Sequence, residues 1–157
     1  MWEKVIFVGK SGTSRAPMAA GILQEYTLKH PVQIEARGMV VLFPEPINQK
    51  IAAVLISNGI NMDDFRSVQL VAEDVDDHTL VLILEEKDRS PILEILGEER
   101  AEQVEVLTEV VGEELEIIDP YGGTLQTYGL CFETMSKTIK KLAAWLNETN
   151  VEEEIHE

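Results

Sequence analysis

The sequence predicts an α/β fold: a doubly wound, four-stranded parallel sheet flanked by helices. Short apolar runs alternate along the chain with stretches whose apolar residues recur at helical spacing. The first apolar run leads directly into a loop of small residues and a helix start, which is typical of a parallel strand–loop–helix unit. The length of 157 residues and the hydrophobic fraction of 45% allow one sizeable core. We therefore expect a single domain over residues 1–150 and an acidic, frayed tail over 151–157.

The first half of the chain contains two predicted strand–helix pairs. Val5–Val8 is an apolar run typical of a buried parallel strand, and Met18–Leu28 carries the apolar stripe of a helix. Val32–Ala36 alternates in the manner of a strand, and Ile47–Ser57 repeats its apolar residues at helical spacing. Residues 37–46, which contain a glycine and two prolines, predict a loop between the second strand and the second helix.

The second half supplies the remaining elements. Thr79–Leu84 is the most apolar run and is expected near the centre of the sheet. Pro91–Leu96 predicts a short helix, Val104–Leu107 a fourth strand, and Thr124–Asn147 a long amphipathic helix. The composition of residues 119–123, with proline and two glycines, predicts a turn before that last helix.

The loop between the first strand and the first helix is the candidate anion site. Ligands of open α/β sheets bind at the carboxyl ends of strands, and a helix N-terminus offers unpaired N–H groups and a favourable dipole to an anion. Arg15 adds a fixed charge whose fork geometry suits phosphate oxygens. The predicted phosphate-binding residues are Gly9, Lys10, Ser11, Gly12, Thr13, Ser14 and Arg15. A nucleotide-binding loop is disfavoured, because the residues that should form its long cradle, 4–8, belong to the strand itself.

Two motifs in this order resemble the low-molecular-weight protein tyrosine phosphatases. Five residues separate Gly9 from Arg15, as in the phosphate loop of that family, and a late Asp119-Pro120-Tyr121 is followed by two glycines. Residues 36–38, 57–60 and 66–67 are also similar to the family, so the resemblance extends over most of the chain. The resemblance implies the same fold, with Arg15 clamping phosphate and Asp119 acting as the general acid. It also implies a pocket wall formed by Tyr121, Leu42 and Phe43.

The loop departs from the family pattern at four positions. The resemblance places Gly9 where the family has its nucleophilic cysteine, and Gly12 where it has an asparagine that shapes the loop. Ser14 stands at the second loop cysteine, and Ala16 at the hydroxyl residue that supports the thiolate. A single deliberate Cys-to-Gly change would leave the other positions intact, so the pattern favours a natural loss of catalysis over an engineered one.

The leading hypothesis is a catalytically impaired homologue, a pseudophosphatase, that binds phosphate or phosphotyrosine. One alternative is a weakly active hydrolase of aryl phosphates that uses water or a loop hydroxyl. Another is a ligand-free scaffold for protein contacts, which the retention of Arg15 and Asp119 disfavours. The arsenate-reducing use of the fold is disfavoured because it needs several redox cysteines and the chain has only Cys131, which we expect in the core.

The composition of the chain argues against several classes of ligand and partner. The net charge of −16 argues against nucleic acid and anionic membrane surfaces, because both bind basic footprints. The three histidines are scattered, so we expect no metal, and nothing in the sequence calls for a cofactor. The chain starts with a strand-like run rather than a secretion signal, and one cysteine fits a reducing compartment. We therefore predict a cytoplasmic location and leave a protein partner and the oligomeric state open.

Overall fold

The chain folds around a four-stranded, wholly parallel sheet in the order β2-β1-β3-β4. A computed structural model describes the backbone of residues 1–156 and the side chains of residues 1–150. The strands are β1 (Lys4–Gly9), β2 (Gln33–Gly38), β3 (Thr79–Ile83) and β4 (Val104–Val106). The helices are α1 (Arg15–Gln24), α2 (Gln49–Ser57), α3 (Arg89–Leu96), α4 (Leu107–Val110) and α5 (Leu125–His156). The predicted fold class is confirmed, with β3 as one of the two central strands.

Helices cover both faces of the sheet, as a doubly wound fold requires. In β1, Val5 and Phe7 point into the cluster formed with α1, α2 and α5, whereas Ile6 and Val8 point into the cluster formed with α3. All four side chains are fully buried, which explains why the strand is a continuous apolar run rather than an alternating one.

The order of the strands places a crevice at the carboxyl end of β1. Strand β2 pairs with one edge of β1, and β3 pairs with the other edge of β1. At such a switch point the connections that follow neighbouring strands diverge and leave room for a ligand. Residues 10–14 follow β1 and residues 84–88 follow β3, so both segments border this crevice.

Several predicted boundaries are wrong. β2 continues through Arg37 and Gly38, which were predicted as loop, because the parallel register pairs Gly9 with Gly38. Helix α1 begins at Arg15 and ends at Gln24, not at Leu28. Helix α2 begins only after Asn48, whose side-chain oxygen accepts hydrogen bonds from the amides of residues 50 and 51.

The last part of the chain also differs from the prediction. The predicted strand Val104–Leu107 stops at Val106, and Leu107–Val110 forms the short helix α4, which the sequence analysis missed. Helix α5 runs on to His156 instead of ending at Asn147, so most of the predicted tail is helical in its backbone, while Glu157 lies outside the described residues. None of the helices in the described chain combines the length and apolar character needed to cross a bilayer.

Candidate functional site

The loop of residues 10–14 is braced through its carbonyl groups. The amide of Met39 donates to the carbonyls of Gly9 and Lys10 at 2.9 and 3.0 Å, and the amide of Val40 donates to Lys10 at 3.1 Å. On the other side, the amide of Asn48 donates to the carbonyl of Thr13 at 2.9 Å. These bonds fix the loop backbone with protein groups alone, before any ligand contributes.

The loop amides, by contrast, have few protein partners. Among the described residues, the only hydrogen bond donated by an amide from Ser11 to Ser14 is a long one of 3.4 Å, from Thr13 to the Ser11 hydroxyl. Ser14 is the N-cap of α1 but makes no side-chain capping bond. The start of this ten-residue helix therefore keeps donors that an anion can accept, together with the positive end of the helix dipole.

Two glycines allow the loop to cross the end of β2 in close contact. Gly12 has a φ of +74°, and a Cβ built on it would lie 2.7 Å from the amide nitrogen of Gly38. A Cβ on Gly38 would lie 2.6 Å from the carbonyl oxygen of Ser11. Real Cβ atoms do not approach backbone atoms this closely, so the shape of the loop depends on glycine at both positions.

We expect Gly12→Ala to destabilise the protein by about 2 kcal/mol or more, because it adds left-handed strain and a backbone clash. Gly59→Ala is the matched control, since Gly59 has a similar φ of +80° but no atom lies within 4 Å of where its Cβ would be. Urea unfolding of both variants separates strain from the clash. Equal losses in the two variants would contradict the close approach of Gly12 to Gly38.

The floor of the loop is formed by small residues. A Cβ on Gly9 would meet the Cβ of Ala16 at 3.5 Å and the amide nitrogen of Gly12 at 3.9 Å, both ordinary contacts. A side chain could therefore begin at Gly9 without displacing its neighbours. The loop therefore has room for a side chain at position 9, but glycine has none.

Arg15 is held between the segments that follow β3 and precede α5. Its Nη1 donates to the carbonyl of Ile117 at 2.6 Å, and its Nη2 lies 3.3 Å from Oε1 of Glu85. Nη2 is also 3.8 Å from Oδ2 of Asp119. Only 10% of the Arg15 side chain is exposed, so these contacts fix the guanidinium at the edge of the crevice.

Asp119 is placed beside Arg15, as the sequence predicted for a shared site. Its Oδ1 accepts the amide of Tyr121 at 3.0 Å, and the amide of Gly123 donates to the carbonyl of Pro120, which confirms the predicted turn. The Asp119 side chain is 49% exposed. The hydrogen bond from the Tyr121 amide thus orients the Asp119 carboxyl group, and its other side is open to solvent. This arrangement is suitable for exchanging a proton with a ligand.

Further charged groups border the crevice. Burial, assisted by the Glu85 carboxylate, raises the pKa of Asp88 above its ordinary value, and the nearby charges of Lys87, Arg15 and Lys10 oppose that rise. Glu85 itself is paired with Lys87 at 3.2 Å. The site therefore combines cations of the loop with carboxylates that follow β3.

The predicted pocket walls project into solvent. Leu42 and Tyr121 are each more than four-fifths exposed, and Phe43 is 64% exposed. Leu42 and Phe43 follow shortly after Met39 and Val40, the two residues that bind the loop carbonyls. The assignment of these three side chains as a pocket wall stays a prediction.

Cys131 is a core residue, as predicted. It is 7% exposed and belongs to the cluster of α1, α2 and α5. Burial raises the pKa of its thiol to about 11. Because a thiol attacks only as the thiolate, Cys131 cannot serve as a nucleophile at neutral pH.

We expect the native protein to react with iodoacetamide at pH 7.5 at least about 100-fold more slowly than the urea-unfolded chain, since burial suppresses both thiolate formation and access. The lone thiol makes the measurement unambiguous, because any carboxamidomethylation seen by mass spectrometry is at Cys131. Raising the pH toward 11 should accelerate the reaction of the native protein. Rapid labelling at pH 7.5 would contradict the buried, protonated thiol.

Comparison with known proteins decides the family. The model of the low molecular weight phosphotyrosine protein phosphatases matches residues 4–154. The chain belongs to this family. It is 28% identical over 140 residues to a protein-arginine-phosphatase of Geobacillus stearothermophilus, covering 89% of this chain and 93% of that protein.

Solved structures agree with this assignment. The YwlE arginine phosphatase from Geobacillus stearothermophilus superposes with a TM-score of 0.86 at 28% identity, covering 95% of this chain and 96% of the other. A low molecular weight protein tyrosine phosphatase from T. tengcongensis gives a TM-score of 0.81 at 30% identity, covering 88% and 96% of the two chains. The likeness of this family member to its relatives thus extends over nearly the whole fold.

The sequence analysis missed two partners of Arg15. Glu85 directly follows the apolar run of β3, and the rule that placed the loop after β1 could have identified it. Ile117 contributes a backbone carbonyl, which side-chain identity does not reveal.

Proposed function

We propose that this phosphatase homologue binds a phosphorylated ligand at residues 9–15 but is impaired in hydrolysis because it lacks a covalent nucleophile. The observation that carries the proposal is the braced loop whose amides are open while Gly9 supplies no side chain. The resemblance of the loop to that of the family implies that Gly9 stands at the position of the catalytic cysteine. An anion would gain the loop donors and the Arg15 fork, yet no thiolate would attack it.

The hydroxyls of Ser11 and Thr13 do not replace the thiol. They lie 2.8 Å apart and hydrogen bond to each other. Among the described residues, neither hydroxyl hydrogen bonds to a histidine or a carboxylate that could act as the base and generate an alkoxide. The buried Cys131 is excluded by its raised pKa. Binding without covalent turnover is the outcome that these contacts support.

The ligand class follows from chemistry shared by the relatives. The family is named for phosphotyrosine protein phosphatases, and one relative is a protein-arginine-phosphatase. Phosphorylated tyrosine and phosphorylated arginine both end in a phosphoryl group with three oxygens. Phosphate, phosphotyrosine and phosphoarginine are therefore the probes to compare. Asp119 has a half-exposed carboxyl group 3.8 Å from Arg15, which supports a role for it as the proton donor to the leaving group.

Isothermal titration and amide chemical shifts test the proposal together. We expect inorganic phosphate to bind with a dissociation constant in the micromolar to millimolar range and to shift the amide signals of residues 10–15 selectively. Chloride at equal ionic strength is the control for non-specific screening. The absence of heat and of shifts with all three phosphorylated probes would refute an anion site.

A second candidate function is slow hydrolysis by water. It is favoured by one observation, the Asp119 carboxyl held beside Arg15 with an open side to solvent. Extensively purified protein would then release phosphate from an aryl phosphate ester, and Asp119→Asn would abolish that release while leaving phosphate binding intact. Activity that survives Asp119→Asn would be attributed to a contaminant.

A further inference from the structure

A second cleft lies between residues 112–120 and the side of α5, with a volume of about 750 Å³. Its apolar lining includes Leu115, Ile118 and Leu130, which are 83%, 84% and 58% exposed. None of the loop residues 9–15 lines it. Large aliphatic side chains held this far in solvent around one concave surface mark a site for another molecule.

The rim of this cleft is acidic. Glu113, Glu114 and Glu116 line it, and residues 109–119 contain five acidic residues and no lysine or arginine. The one cation among the lining residues, Lys141, is paired with Glu113 at 3.3 Å. Glu114 is exposed beside the aliphatic lining and forms no salt bridge with any other described residue.

We propose that this cleft, bordered by Glu113–Ile118 and Leu130, binds a peptide segment of a partner protein that carries aliphatic and cationic side chains. Aliphatic groups would cover the exposed leucines and isoleucine, while lysine or arginine would meet the glutamates. A second copy of this chain is a poor occupant, because two molecules of net charge −16 repel each other. An acidic or phosphorylated peptide would face the same repulsion.

One residue of the cleft also forms a hydrogen bond with Arg15. The carbonyl of Ile117, which lines the cleft, accepts from the Arg15 guanidinium, and the neighbouring Glu116 carboxylate accepts the amide of Glu86 at 2.6 Å. Asp119 follows two residues later in the same segment. A partner that orders residues 112–120 would therefore stabilise the groups that hold Arg15.

Fluorescence anisotropy with a defined probe tests this surface. The probe is a short fluorescein-labelled peptide of leucine and lysine that forms an amphipathic helix, measured in about 0.15 M salt to suppress non-specific attraction. We expect saturable binding that Leu130→Asp weakens at least about tenfold, through loss of apolar contact and added charge. Ile56→Asp is the matched control, because Ile56 is 53% exposed on α2 and does not line the cleft.

Two charge-reversal variants distinguish attraction of the peptide to the cleft from its attraction to the net negative charge of the whole protein. Glu114→Lys should weaken peptide binding several-fold more than Glu98→Lys, an exposed glutamate outside the cleft. Circular dichroism confirms that each variant is folded. The proposal is overturned by absent binding, by equal effects of the matched variants, or by equal binding of a leucine–glutamate peptide. Self-association that Leu130→Asp removes would instead assign the cleft to a second copy.

Discussion

Gly9→Cys is expected to increase the turnover of p-nitrophenyl phosphate at least about 1,000-fold, because a covalent nucleophile commonly contributes several orders of magnitude. The new Cβ fits the floor of the loop, at 3.5 Å from Ala16 and 3.9 Å from the Gly12 amide. Its thiol would lie at the start of α1, where open amides and the helix dipole lower a thiol pKa. Under the proposed function, Arg15 would bind the phosphate oxygens and Asp119 would protonate the leaving group.

Three comparisons make this result interpretable. Gly9→Ala adds the same Cβ without a nucleophile and should stay inactive. Gly9→Cys combined with Asp119→Asn should lose about 100-fold or more of the gained rate, since it removes the proposed proton donor. Adding Ala16→Ser should raise the rate further if a hydroxyl there supports the thiolate.

If Gly9→Cys is inactive, iodoacetamide labelling shows whether its new thiol is activated. A folded Gly9→Cys protein whose new thiol reacts rapidly at pH 6 would possess an activated thiolate, and inactivity would then contradict the phosphate site. A thiol that reacts only at alkaline pH would show that the loop does not activate it. Slow labelling of Cys131 under the same conditions provides the internal reference.

Arg15→Lys is expected to weaken phosphate binding about 100-fold, equivalent to about 2.7 kcal/mol. Lysine keeps the charge but loses the planar fork, so it cannot contact Glu85, the Ile117 carbonyl and a phosphate oxygen together. Calorimetric titration of both proteins with phosphate measures the difference.

The control for this substitution is Arg66→Lys. Within the part of the chain whose side chains are described, Arg66 donates to the backbone carbonyls of residues 63 and 65, and it does not belong to the loop. Phosphate affinity should therefore stay within about twofold. Thermal unfolding of Arg15→Lys without phosphate reports any loss of structure. An unchanged phosphate affinity in a folded Arg15→Lys protein would show that the guanidinium does not contact the anion.

The sequence predicted the elements that depend on local pattern. Apolar runs and, for β2, an alternating pattern predict the strands. The loop from Gly9 to Arg15 is located because a strand, small residues and a helix start follow one another. The end of β2 was missed because Arg37 and Gly38 resemble loop residues, and only their register with β1 makes them strand. The short helix α4 was missed because its four residues are too few to show a period.

The same distinction applies to the site. The family resemblance of two motifs about a hundred residues apart predicts Arg15 and Asp119 as residues of one site, and the fold brings their side chains to 3.8 Å. The contacts of Arg15 with Glu85 and with the Ile117 carbonyl depend on how strand ends and a late turn meet in space. Such tertiary contacts leave no local signature in a single sequence.

The bonds from Met39, Val40 and Asn48 to the loop carbonyls have a kinetic consequence. A binding loop that is ordered before the ligand binds loses little conformational entropy on binding. Association should then follow a single exponential without a slow isomerisation phase, and its rate should reflect diffusion through the repulsive field of an acidic surface. Added electrolyte would screen that field and speed the encounter.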